Sequence, residues 1–73
     1  MAFELWETSS RNLIGDFPTE ETALATVRAG VDRHGHRYVM TWLLAYEDKH
    51  GDTNEIAAGP KLIELAHAAR AES

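Results

Sequence analysis

The stretch from Arg37 to Glu47, RYVMTWLLAYE, constrains the fold of this chain more than any other. It contains no glycine and no proline. In an extended chain Tyr38, Met40, Trp42, Leu44 and Tyr46 share one side, and Val39, Thr41, Leu43 and Ala45 share the other. Both sides are therefore largely apolar. The density of β-branched and aromatic residues favours strand over helix. A strand apolar on both faces belongs in the middle of a sheet or under cover on both sides. Residues 37–47 are expected to form the central strand, and the remaining elements are expected to arrange themselves around it.

Size leaves room for little more than that one sheet and its cover. The chain has 73 residues, so residues 1–73 are read as a single small domain with a stability of about 4–10 kcal/mol. Cysteine is absent, which excludes disulfides and thiolate metal sites and points to a reducing, cytoplasmic setting. The opening MAFELWET lacks the basic region, apolar run and cleavage site of a signal peptide, so none is expected. No apolar run approaches the ~20 residues that span a bilayer, and no membrane association is expected. The formal net charge of −5 works against a non-specific phosphate-binding surface.

Taken in order, Ala2 to Trp6 and Asn12 to Phe17 read as two strands of a hairpin around a polar turn. Simple alternation puts Leu13 and Phe17 on one face of the second strand and Ile14 and Asp16 on the other. Pro18-Thr19-Glu20-Glu21 is a helix start, with Thr19 as N-cap and the two glutamates at the positive end of the dipole. Ala23, Leu24, Val27 and Val31 supply the apolar stripe, and Gly35 ends a helix spanning Thr19 to His34. After the central strand, Glu47 to Asp52 is a polar turn. Thr53 to Ala57 returns as an edge strand whose only large apolar residue is Ile56. Gly59-Pro60 then opens a second helix, Pro60 to Arg70. The order is ββαββα: an α+β domain with a four-stranded antiparallel sheet and two helices on one face. A faint internal echo matches Trp6-Glu7-Thr8 with Tyr46-Glu47-Asp48, as if two ββα halves built the sheet.

FELWETSSRNLIGDFPTEETALATVRAGVDRHG resembles the start of short uncharacterised bacterial proteins with a tryptophan-bearing hairpin, an acidic helix start and an Ala-Leu helix ending at His-Gly. The resemblance covers most of the chain and implies the fold alone. Gly15-Asp16-Phe17-Pro18-Thr19-Glu20-Glu21-Thr22-Ala23-Leu24 is also similar to a segment of HicB-type antitoxins, which place such a turn and helix beside a small sheet. That likeness implies masking of a partner. Here, however, the helix follows only two strands, and no separate DNA-binding segment remains after it.

Catalytic chemistry finds little footing. The serines and threonines lie in no glycine-flanked elbow, no glycine-rich loop leads into a helix, and the acids fall in caps, turns and helix faces. The chain is read as no enzyme, with no cofactor and no small-molecule substrate. His34 and His36 are close in sequence and His50 and His67 lie elsewhere, but no further ligands fall at a recognised metal spacing, so no metal is expected. Arg28, Arg33 and Arg37 gather with His34 and His36 near the end of the first helix. They could offer a nucleic-acid patch, but aromatic interleaving is missing, and compensation of the helix end explains them more simply.

The informative set is apolar. If the first face of each strand meets the helices, then Trp6, Ile14, Val39 and Leu43 line the other. Two helices can cover only one face, and an uncovered apolar face commonly marks a contact. The function expected from sequence is a non-catalytic interaction or regulatory module whose partner is a protein, foremost a second copy of itself. A partner-masking protein of antitoxin type is the alternative, and a small nucleic-acid binder ranks behind both.

Overall fold

The structure is a computed structural model, and it describes residues 2–72, with side chains through Ala69. Its elements are β1 (Ala2–Glu7), β2 (Asn12–Phe17), α1 (Glu20–His34), α2 (His36–Val39), β3 (Trp42–Glu47), β4 (Thr53–Ala58) and α3 (Pro60–Glu72). The strands form one antiparallel sheet in the order β2-β1-β3-β4. This is the expected ββαββα, α+β arrangement, with the short α2 added before β3. Residues from α1, α2 and α3 share one buried cluster with Leu5, Trp42, Leu44 and Ala57. These four strand residues lie on the same sheet face by register, so the three helices all pack on that face.

Local chemistry sets the ends of α1. The Thr19 hydroxyl accepts from the Thr22 amide at 3.2 Å, and Glu20 and Glu21 occupy the first turn, where the dipole favours negative charge. Gly35, at φ 87°, donates its N–H to the Val31 carbonyl at 2.8 Å and stops the helix. A left-handed backbone is cheap only for glycine. Between these ends Ala23, Leu24, Val27 and Val31 are buried, as their spacing requires.

The stretch 37–41 is not strand, which corrects the expected 37–47. Residues His36–Val39 make one helical turn, and β3 begins at Trp42. The cause is the partner strand. β1 ends opposite β3 at the Glu7↔Trp42 pair, and beyond it the chain turns, with the Thr8 amide donating to the Thr41 carbonyl at 2.9 Å. Residues 38–41 therefore have no ladder to join. Helical geometry instead buries Val39 in the core, while Tyr38 packs against His34 and Trp42. Within β3 the alternation is as expected, with Trp42 and Leu44 toward the helices and Leu43 away from them.

Each edge strand carries a β-bulge, and the two bulges correspond. The β1–β2 register slips between Leu5 and Trp6, and the β3–β4 register slips between Leu44 and Ala45. The extra residues are Ile14 and Ile56. Leu5 and Leu44 are themselves a cross-strand pair, both fully buried. The sheet thus has an approximate two-fold through that pair, relating β1-β2 to β3-β4. The internal echo is real in outline but lies one residue away from the sequence match: Trp6 corresponds to Ala45 rather than to Tyr46.

Close packing of α1 on the sheet depends on Gly30. A Cβ there would sit 2.9 Å from the Cη2 of Trp42 and 3.2 Å from the Cγ2 of Val39. Gly30→Ala is expected to lower stability by about 1 kcal/mol, because overpacking at about 1–3 kcal/mol outweighs the ~1 kcal/mol gain in helix propensity. Leu44→Ala is expected to cost about 2–5 kcal/mol. Urea unfolding followed by far-ultraviolet circular dichroism measures both.

Candidate functional site

The sheet face away from the helices is built in rows by the strand register. One row is apolar: Leu13, Trp6, Leu43 and Ala58 are successive cross-strand partners across all four strands. The next row is Asp16, Glu4, Ala45 and Glu55, paired in the same way. Beyond it lie Ala2, Glu47 and Thr53. No Lys, Arg or His occurs among these positions. Neither Trp6 nor Leu43 belongs to the helix-side core, and Leu13 is 44% exposed. The Trp6 indole donates to the carboxylate of Glu4, whose cross-strand partner is the buried Ala45, at 3.2 Å.

Two of the four residues expected on this face are elsewhere. Trp6 and Leu43 are adjacent partners on it. Ile14 is the bulge residue of β2 and lines a cleft with residues of α1, on the helix side. Val39 is fully buried in α2. Leu13 takes the place expected for Ile14, because one extra residue inverts the alternation along a strand. Strict period-two reading could not find this; the register of a bulge is set by the neighbouring strand.

The arginines do not form one free patch. The Arg28 guanidinium donates to the Ala66 carbonyl at 3.1 Å and ties α1 to α3. Arg33 and Arg37 are exposed on α1 and α2. The histidines are similarly dispersed. His34 lies against Tyr38 with ring centroids 4.2 Å apart, and His36 meets His67 edge-on at 6.1 Å. His50 sits in the β3–β4 turn, its amide held by the Asp48 carboxylate at 2.9 Å. Among the described residues, no three His, Asp or Glu side chains converge as metal ligands. No helix among the described residues is long and apolar enough to cross a membrane.

A second surface feature was not anticipated from sequence. A cleft of about 420 Å³ opens between α1, α2 and the β1–β2 end of the sheet. Glu7, Ile14 and Trp42 line it from the sheet, Tyr38 from α2, and Ala29, Gly30 and Arg33 are among its α1 residues. The Glu7 carboxylate at its edge is already occupied. It accepts from the Ser9 hydroxyl and amide, the Ser10 amide and the Thr41 hydroxyl. These bonds, the Ser9 hydroxyl foremost and Thr41 next, hold its carboxyl at about 2, below the ordinary 4.5, against an opposing desolvation effect. Glu7 therefore clasps the β1–β2 turn to the chain entering β3.

Comparison with family models, curated proteins and solved structures finds no match to this chain.

The clasp gives a pH dependence of defined sign. A carboxyl whose pKa is lowered by folding stabilises the fold above its ordinary value, and that contribution is lost as pH falls through the folded value. The urea midpoint is expected to decline between pH about 4.5 and about 2. Glu7→Gln should lower the midpoint near neutral pH and flatten the decline in that window.

Proposed function

We propose that this protein is a non-catalytic interaction module whose open sheet face receives a cationic, amphipathic helix from another protein. The observation that supports this reading is the pair of neighbouring rows, one apolar (Leu13, Trp6, Leu43, Ala58) and one bearing Asp16, Glu4 and Glu55. An apolar helix stripe laid along the first row would place one flank above the carboxylates. Basic residues on that flank complete the electrostatic match and set the orientation. Four strands at ~4.8 Å spacing and six residues at ~3.3 Å give a face of about 19 by 20 Å. That is roughly half of the ~800 Å² per partner of a standard interface. The dimensions suit a segment of about three helical turns better than a whole globular surface. Masking of a basic target, as in the antitoxin likeness, is a special case of the same docking.

Self-association is the second reading, and the rows limit its geometry. A two-fold along the strands would bring acidic row over acidic row, with Asp16 above Glu55 of the other copy. A two-fold along the apolar row would stack that row on itself and send the carboxylates to opposite sides. Only the second stacking avoids like-charge contact, and the area makes it weak.

Titration of the isotope-labelled protein with a synthetic helical peptide, leucine-striped and lysine-flanked, tests the first reading. Amides of β1 and β3 are expected to shift, the affinity to fall with salt, and Leu43→Lys to weaken binding about tenfold or more. Equal binding of the glutamate-flanked analogue, or shifts confined to the helices, would refute it. Sedimentation equilibrium of the protein alone, showing a dimer that Leu43→Lys dissociates, would transfer the face to a second copy.

A further inference from the structure

On the opposite side of the sheet, the cleft beside α1 is built for a ligand of a different kind. Its shape follows from two backbone features. The bulge in β2 turns Ile14 into it, and Gly30 lets the Trp42 ring lie against α1. Its wall is aromatic. Tyr38 meets Trp42 edge-on at 5.8 Å and His34 at 4.2 Å, and Tyr38 remains 52% exposed. The volume of about 420 Å³ is at the small end of ligand sites, which run from about 300 to 1,000 Å³.

The polar groups of the cleft decide the charge of what it can hold. The acceptor sites of Glu7 are taken by four donors from its own turn and from Thr41, and the Thr26 hydroxyl donates its proton to the Thr22 carbonyl at 3.1 Å. The Arg33 guanidinium and the Tyr38 hydroxyl have no hydrogen-bond or ion-pair partner among the described residues. Arg33 has no part in holding Glu7 ionised, so its charge is not consumed there. A Glu7 carboxylate whose acceptor sites are filled and a planar guanidinium without a partner leave Arg33 as the open donor of a cleft with aromatic walls. A guanidinium pairs with a carboxylate through two parallel hydrogen bonds, and aromatic edges and faces favour a flat ring system.

We infer that this cleft binds a small planar aromatic carboxylate, its ring against Tyr38, Trp42 and Ile14 and its carboxylate on Arg33. The site is independent of the sheet face used for docking, which lies on the other side of the molecule.

The experiment titrates the isotope-labelled full chain with indole-3-acetate, and with indole-3-acetamide as the uncharged control. Amides of Ile14, of residues 26–34, and of Tyr38 and Trp42 are expected to shift together and saturate at millimolar acid. The amide is expected to bind about tenfold or more weakly, since it cannot form the charged pair. Arg33→Gln should reduce the acid to the affinity of the amide. Ala29→Leu, which fills the cleft from an exposed helix position, should abolish binding of both. Unchanged spectral dispersion shows that either variant is folded. Absence of shifts at these residues, equal affinity for acid and amide, or undiminished acid binding in either folded variant would overturn the assignment.

Discussion

The contact between Leu5 and Leu44 is the point on which the rest of the structure turns. They face each other across the central strand pair and neither is exposed. Val27 of α1 and Leu62 of α3 are fully buried in the same cluster. In a domain this small a single layer of side chains must serve as the whole core, because so much of the chain lies at the surface. Both helices are consequently drawn to one face. The other face is left bare by shortage of cover rather than by any local instruction in its own residues.

The bulges then divide the apolar side chains between the two faces. Ile14 and Ile56 are each the extra residue of an edge strand, and each lies beside the helix that follows its hairpin. An unbulged β2 would have put Ile14 on the bare face and Leu13 under α1. The slip exchanges them, so the bare face has Leu13 next to Trp6 and the cleft has an isoleucine wall. The two halves also solve their turns alike. Glu7 gathers amides of the first turn, and Asp48 accepts from the His50 and Asp52 amides in the second. They differ in what surrounds the bulge: aromatic rings and Arg33 beside Ile14, but Lys61, Glu64 and Leu65 beside Ile56.

Much of this architecture was legible from local chemistry. Thr19 caps a helix wherever it is followed by an amphipathic run, and Pro60 after Gly59 opens one. β2 and the bulk of β4 could be bounded by their turns. The errors all concern relations between distant residues. Tyr38 and Val39 have strand-like composition, but β1 is too short to pair with them, and nothing within residues 37–41 records the length of β1. Ile14 was assigned by alternation, which fails when a neighbouring strand imposes an extra residue. The candidate face was thus half legible: Trp6 and Leu43 sit where their strands place them, whereas Leu13 required knowledge of the register. The cleft was not legible, since its residues come from the turn end of β1, the bulge of β2, the last turns of α1, Tyr38 of α2 and Trp42 of β3.

The approximate two-fold has a consequence for how the chain is tied together. Every element except α2 has a counterpart in the other half, and the seam between the halves is the β1–β3 ladder with the α1–α3 contact above it. Residues 35–41 carry the chain across that seam, anchored by Val39 in the core and by the Thr41 hydroxyl on Glu7. If this segment straightens, the β3–β4–α3 half can pair with β1 of a neighbouring molecule through the same contacts it makes within its own. An exchanged dimer of this kind would have native seams and no new surface, and its formation would be governed by the ease of unwinding one helical turn at Gly35.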